Sequence, residues 1–255
     1  MKTSPEGELT QKVIDMNIQG KTVFVTGANR GIGAELVSAF LRHGAGKVYA
    51  GARDPQALRD YGDDRVIAVQ LDVTKPESVH AAAQKIGELD ILVNNAGVMN
   101  DNTILTATFA ELMTDMDVNY YGTVRVLQAF APLMGKKEVG VIANVLSVLA
   151  LAPMSQTAGY SASKAALLSA TQAARAILKS QNINVVGIFP GPIDTDMASD
   201  RHAEKTSPTV AAEEIVKGLL EDREDIYPDP DPVSVQVSRF WESNPKGLEH
   251  HFATL

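Results

Sequence analysis

The chain of 255 residues has no cysteine, which excludes disulfides and every metal site built on thiolates. Its five histidines, His43, His80, His202, His250 and His251, show no metal-ligand spacing, and no catalytic metal is expected. No apolar run reaches the roughly 18 residues that a membrane helix needs. The opening stretch MKTSPEGELTQKVID is polar where a secretory signal would be hydrophobic, so a cytoplasmic protein with no membrane partner is expected. Basic blocks are also missing, and the net charge is −8, which gives nucleic acid nothing to bind. Neither a repeat nor a linker nor a shift in composition divides the chain. A polar extension over 1–15 followed by one domain over 16–255 is the expected organisation.

What is present is an alternation. Apolar, strand-like runs at 21–26, 47–52, 65–71, 90–95, 140–147, 183–190 and a short one at 225–228 are separated by helical patterns. The patterns lie near 32–43, 55–61, 76–87, 106–134, 157–181 and 209–222. Such alternation argues for parallel strands joined through helices on both faces. Strands apolar along most of their length suit burial on both sides. The first run, KTVFVT, breaks into TGANRGIG (Thr26 to Gly33) and then into the helical pattern AELVSAFLRHG. A strand feeding a glycine-rich turn and a helix N-terminus presents backbone N–H groups to a pyrophosphate. The spacing of Gly27, Gly31 and Gly33 differs from G-x-G-x-x-G, and glycines also end strands, but the strand-to-helix context is the one nucleotide binding demands. The expected fold class is therefore α/β: a single-domain Rossmann fold, a doubly wound parallel sheet of about seven strands flanked by helices on both faces, with its ligand beyond the strands' carboxyl ends.

YSASK, from Tyr160 to Lys164, lies in an alanine-rich helical stretch, with Ser147 thirteen residues earlier. Residues four apart meet on one helix face. A phenol titrates near 10, and bringing it toward neutrality takes roughly 4 kcal/mol of preference for phenolate. One positive charge at about 4 Å in an effective dielectric near 20 supplies that order of energy. Helices also carry Tyr and Lys at this spacing for packing alone. Ser147 and the glycine turn weigh toward a working acid/base.

TGANRGIG, LDV (71–73), NNAG (94–97), Asn119, Ser147, YSASK and PGPIDTDM (190–197) stand in the order and at the spacings of one family. Over about residues 18 to 228 the chain resembles the classical short-chain dehydrogenases/reductases, and within them an NADP-preferring carbonyl reductase or alcohol dehydrogenase. The resemblance implies four catalytic residues. Tyr160 exchanges a proton with a carbonyl or alcohol oxygen while hydride moves to or from C4 of the nicotinamide. Ser147 binds the same oxygen, and Lys164 lowers the Tyr160 pKa and holds the ribose hydroxyls. Asn119 holds a water that links Lys164 to solvent, or is a buried asparagine that satisfies backbone.

It also implies the cofactor contacts. Gly27, Asn29, Arg30, Gly31, Ile32 and Gly33 form the pyrophosphate turn. Asp72, with Val73, meets the adenine side, or Asp72 caps the turn before Lys75 and Pro76. Asn94, Ala96 and Gly97 lie along the cofactor, while Asn95 counts as structural. Pro190, Gly191 and Ile193 turn the chain over the nicotinamide, and Thr195 bonds its carboxamide or caps a helix. Tyr160 and Lys164 complete the set.

Cofactor preference rests on a further absence. An acid about 20 residues beyond the glycines pairs with the ribose of NAD, whereas an arginine accommodates the phosphate of NADP. Nineteen residues past Gly33 stands Ala52, followed by Arg53, and Asp54 before Pro55 reads as a helix cap. Arg30 is a second basic residue in the turn. NADP(H) is therefore expected over NAD(H), although either arginine can also be a solvated surface charge.

Leu146 and Ala150 stand where the family often has serine and glycine. With Val98, Met99, Leu149, Leu151, Ala152, Pro153 and Met154 they make a mostly apolar lining, which suits a hydrophobic ketone or aldehyde unless these residues are packing only. The segment 191–208, with Asp194, Asp196, Asp200, Arg201, His202 and Lys205, reads as a short polar lid over an open site. The tail carries the single tryptophan, Trp241, and in relatives serves subunit contacts, so a homodimer or homotetramer is expected. A non-catalytic NADP(H)-binding sensor or scaffold is the alternative. Such proteins commonly lose the tyrosine or the lysine, and this chain keeps both.

Overall fold

The computed structural model describes residues 17–136, 138–198, 204–229 and 232–253, apart from the side chains of 232–236 and 253. The extension expected over 1–15 lies outside them. Seven parallel strands form one sheet: β1 (Thr22–Thr26), β2 (Lys47–Ala52), β3 (Val66–Gln70), β4 (Ile91–Asn94), β5 (Gly140–Val145), β6 (Ile183–Ile188) and β7 (Asp225–Ile226). Their order is β3-β2-β1-β4-β5-β6-β7. The order reverses between β1 and β4, which pair through Val23–Ile91, Phe24–Leu92 and Val25–Val93. A crevice opens there beyond the carboxyl ends.

Strand alternation sorts the apolar residues into two layers. Val23, Val25, Ile91 and Val93 face helices α1 (Gly31–Arg42) and α6 (Pro208–Leu220), burying Leu36, Phe40, Ile215 and Leu219. Phe24, Leu92 and Ile142 face α2 (Pro76–Ile86), α4 (Thr123–Phe130) and α5 (Ala158–Leu178), with the Phe24 and Phe130 rings 5.0 Å apart. Every strand and five of the six helical patterns foreseen from sequence have a counterpart here, within a few residues at their ends. Among the described residues no helix is long and apolar enough to cross a membrane.

Three stretches depart from the sequence reading. The helix expected over 55–61 is a single 3-10 turn, Pro55–Ala57, capped as foreseen by the Asp54 carboxylate on the Gln56 N–H at 2.9 Å. It stops because Leu58 returns to extended backbone and Asp60 closes a turn onto the N–H of Gly62, whose φ is +60°. The long helix over 106–134 is α3 (Phe109–Asp115), opened by a Thr108–Glu111 capping box, then a π-helical segment Met116–Gly122, then α4 and a 3-10 turn. Within that segment Gly122 is pressed so closely on Val73 that a Cβ would stand 2.7 Å from its Cγ2. The tail folds into α7 (Pro232–Ser243) and α8 (Pro245–Ala253), each opened by a proline, which suits a first helical turn. Its Val237, Leu248 and Phe252 pack in the apolar cluster that holds Tyr160 of the same chain, while Phe240 and Trp241 remain exposed.

Candidate active site

The glycine turn is built by close approach. Gly27 (φ +65°) and Gly31 (φ +53°) take left-handed backbone, and a Cβ on Gly33 would stand 2.3 Å from the Gly27 carbonyl oxygen and 2.4 Å from Asn95 Nδ2. Asn95 donates to the carbonyls of Thr26 and Gly27 at 2.9 and 3.0 Å, the structural part expected of it. Thr26 Oγ1 returns the tie by accepting from the N–H groups of Asn95 and Ala96, both at 3.0 Å. Helix α1 starts at Arg30 with no side-chain cap and no acid in its first turn. Its first N–H groups and positive dipole end therefore suit an anion, as a bound pyrophosphate requires. Gly33→Ala should cost about 2 kcal/mol by overpacking, read by urea denaturation, because backbone stands in the way.

Ser147 stands two residues beyond the end of β5, and Tyr160 and Lys164 stand in the first two turns of α5. Lys164 is buried, donates to the Val145 carbonyl at 2.7 Å, and holds Nζ 5.6 Å from the centre of the Tyr160 ring. Burial pulls its pKa down from 10.5 to about 8. Ser147 accepts from the Leu149 N–H at 3.1 Å and stands 3.5 Å from the Pro190 carbonyl. Its extended backbone caps the short turn Val148–Ala150.

Asn119 sits in the π-helical segment rather than in regular helix. Its side chain is fully engaged: Oδ1 accepts from the Val98 N–H, and Nδ2 donates to the Val98 carbonyl and to Ser163 Oγ, each at 2.9 Å. Ser163 Oγ passes the chain of bonds to the Tyr160 carbonyl at 2.7 Å. A Cβ on Gly97 would lie 3.1 Å from Asn119 Oδ1 and 3.7 Å from Lys164 Nζ, so the NNAG segment backs directly onto this group.

The remaining positions stand at or just beyond the carboxyl ends of the strands. Asn94, the last residue of β4, donates its amide to Asn144 Oδ1 at 2.9 Å within the sheet. Asp72 caps its own turn by accepting from the Thr74 N–H and hydroxyl at 3.0 and 2.7 Å. Burial disfavours its charge, but these bonds, with Arg53 and Lys75 nearby, hold its carboxyl below the usual range. Asn29, Arg30 and Arg53 are exposed. Arg30 reaches Asp196 at 3.2 Å, an ion pair from the glycine turn to the segment after β6. Thr195 lies against Gly31, where a Cβ would stand 3.0 Å from its Cγ2. Ile193 is buried and bridges to Thr206, while Gly191 donates to Asp229 Oδ2 at 2.5 Å. Of the segment's charged residues, Asp200, Arg201 and His202 lie outside the described residues. Sequence reasoning missed Thr26, Ser163, Asn144 and Asp229. Ser163 stood inside YSASK and Thr26 headed TGANRGIG, whereas Asn144 and Asp229 carried no signal of their own.

Among the described residues no group of three His, Asp or Glu is placed to hold a metal. The family model described as short chain dehydrogenase matches residues 21–206. The 3-oxoacyl-[acyl-carrier-protein] reductase FabG of Vibrio cholerae is 34% identical over 217 residues, 83% of this chain and 88% of that protein. The crystal structure of a short chain dehydrogenase from Burkholderia cenocepacia in complex with NADP superposes with a TM-score of 0.88 at 34% identity, covering 93% of this chain and 99% of the other. A 3-ketoacyl-(acyl-carrier-protein) reductase from Brucella melitensis complexed with NADH gives 0.75 at 26%, covering 83% and 98%. With the glycine turn, the sheet order and these matches in hand, the chain belongs to the short chain dehydrogenase family of nicotinamide-dependent oxidoreductases.

Proposed function

We propose that this protein is an NADP(H)-dependent oxidoreductase that interconverts a ketone or aldehyde and its alcohol, with Tyr160 as general acid/base. The observation that carries the reading is the buried Lys164 ammonium held by the Val145 carbonyl at the end of β5, beside the Tyr160 ring. A lysine with a pKa of about 8 is still mostly charged at neutral pH, and a positive charge this close favours phenolate over phenol. Tyr160 then holds the proton that a carbonyl oxygen takes, and Ser147 offers that oxygen a second hydrogen bond. Asn119 and Ser163 fix the backbone under Tyr160 and Val98, and Lys164 is the route by which the proton is replaced. NADPH, when bound, supplies the hydride. The glycine turn and the uncapped start of α1 would hold its pyrophosphate, and Asp72, Val73, Asn94, Ala96, Gly97, Pro190, Gly191, Ile193 and Thr195 would line the rest of its path.

Preference for NADP(H) is supported by Ala52 and Arg53 at the end of β2, where NAD enzymes place an acid, and by the NADP complex of the Burkholderia cenocepacia protein. The name of the Vibrio cholerae relative, a 3-oxoacyl reductase, supports a ketone as substrate. Met99, Leu149, Leu151, Ala152 and Met154 share an apolar cluster with Tyr160, in favour of a hydrophobic one. The exposed Ile104, Leu105, Phe109 and Met113 offer an apolar surface that a homodimer or homotetramer would cover.

Nicotinamide absorbance with a panel of ketones and aldehydes, run with NADPH and NADH, tests the reading. A kcat/KM ratio favouring NADPH by about tenfold or more is expected, and Arg53→Ala should erase most of it by removing a phosphate partner. Protein that binds NADPH and reduces no carbonyl would favour the sensor or scaffold instead.

A further inference from the structure

Asp115 is a buried acid that the proposed chemistry does not use. It ends α3, four residues before Asn119, and is wholly excluded from solvent. Its Oδ1 accepts from the Asn100 backbone N–H at 3.3 Å and from the Asn100 side chain at 3.1 Å. Its Oδ2 is buried with no hydrogen-bond partner. That oxygen points at Gly159, where an added Cβ would stand only 2.5 Å away. Gly159 immediately precedes Tyr160.

A second buried side chain converges on the same glycine. Asn102 Oδ1 accepts from the Gly159 N–H at 3.3 Å, and its Nδ2, like Asp115 Oδ2, is buried and unpartnered. Asn102 also donates its backbone N–H to Gln156 and accepts from Ala158, at 2.9 and 3.2 Å. The loop that leaves Gly97 through Val98 and Met99 is thus stitched to the first turn of α5 through Asn100, Asn102 and Asp115.

An apolar side chain in this place would cost less than an acid, because a buried carboxylate loses its hydration. Burial accordingly drives the Asp115 carboxyl above the usual carboxylate range against the pull of the Asn100 bonds. What an acid offers here is charge. Helix α5 runs 21 residues with no side-chain cap and no acid in its first turn, and Asp115 brings an anionic group from α3 to that positive end.

We propose that Asp115 is a positioning residue for Tyr160: its carboxylate, wedged against Gly159, fixes the first turn of α5 relative to the loop over 97–102 and so sets where the phenol meets the substrate carbonyl. The inference rests on Tyr160 being the acid/base. A displacement of about 1 Å in such a group is enough to cost up to roughly 100-fold in turnover.

The test is a double-mutant cycle of Asp115→Ala and Gly159→Ala, with kcat, the KM for NADPH and thermal unfolding measured for all four proteins. Gly159→Ala alone is expected to lower kcat about tenfold with the KM for NADPH within about twofold, because its methyl displaces the carboxylate; once Asp115 is alanine, the same change should cost less than about twofold. Equal losses in both backgrounds would overturn the proposal. Coupling in unfolding temperature without coupling in kcat would overturn it as well, since the wedge would then serve only the fold. Wild-type protein that reduces no carbonyl defeats the functional reading and this role together. If Gly159→Ala does not fold, the isosteric Asp115→Asn replaces it: an about tenfold lower kcat at an unchanged KM for NADPH is expected, and an unchanged kcat overturns the proposal.

Discussion

Tyr160→Phe should lower kcat about 1,000-fold while leaving NADPH affinity within about twofold of the wild type. The substitution is clean because the ring is doing separate work. Tyr160 is 8% exposed and packs in a cluster with Leu146, Leu167, Phe189 and the tail residues Val237, Leu248 and Phe252, contacts that phenylalanine repeats. The Lys164 ammonium over the ring is likewise retained, since a phenyl face attracts a cation much as a phenol face does. Only the hydroxyl goes, and with it the proton donor. Steady-state turnover together with NADPH fluorescence titration separates the two quantities. A variant that kept a tenth or more of the wild-type rate would mean that another group handles the proton.

Most of the sheet was legible because six of the strands are mostly apolar runs bounded by turns, whereas β7 is only Asp225–Ile226. The 21–26 run shortened by one residue to β1, and the 140–147 run lost its last two to the turn that Ser147 caps. Spacing put the tyrosine and lysine on one helix face, but their roles and that of Ser147 came from the resemblance to the short-chain dehydrogenases/reductases. The π-helical segment was not legible. It goes with Gly122 meeting Val73, a contact that crosses the fold and leaves no local period. The tail was hidden for a similar reason: its apolar face exists to cover the cluster around Tyr160, and without that surface its proline-punctuated sequence carries little helical signal. The ion pair of Arg30 with Asp196 joins residues 166 apart, which no sequence window could reveal. It also means that a phosphate bound at Arg30 competes with a carboxylate already there.

Asp115 and Lys164 share one logic. Each is an ionisable group placed where folding alone would prefer hydrocarbon, and each costs stability in proportion to its burial. Both lie within the small region that positions Tyr160.

Lys164→Met gives that logic a measurable sign. The native lysine titrates at about 8 and the unfolded one near 10.5, a difference worth about 3 kcal/mol. Between those values the unfolded chain binds more protons than the native one, so this residue's contribution to stability rises with pH across the window. Below about 8 the full burial cost is present, and above 10.5 it is gone. Methionine keeps much of the packing and carries no titrating group, though it leaves the Val145 carbonyl without its donor. The wild type should therefore gain about 2 to 3 kcal/mol on the variant between about pH 7 and pH 10, whichever protein is the more stable at the start, as read by urea denaturation at each pH. Comparing the two proteins cancels the lysines and tyrosines that titrate in the same range away from Lys164; Tyr160, whose charge is coupled to it, does not cancel. Turnover should fall by about 100-fold or more, since the phenolate loses its counter-charge. A pH-independent stability difference would show that the lysine escapes to solvent, and that Tyr160 has no buried cation to draw on.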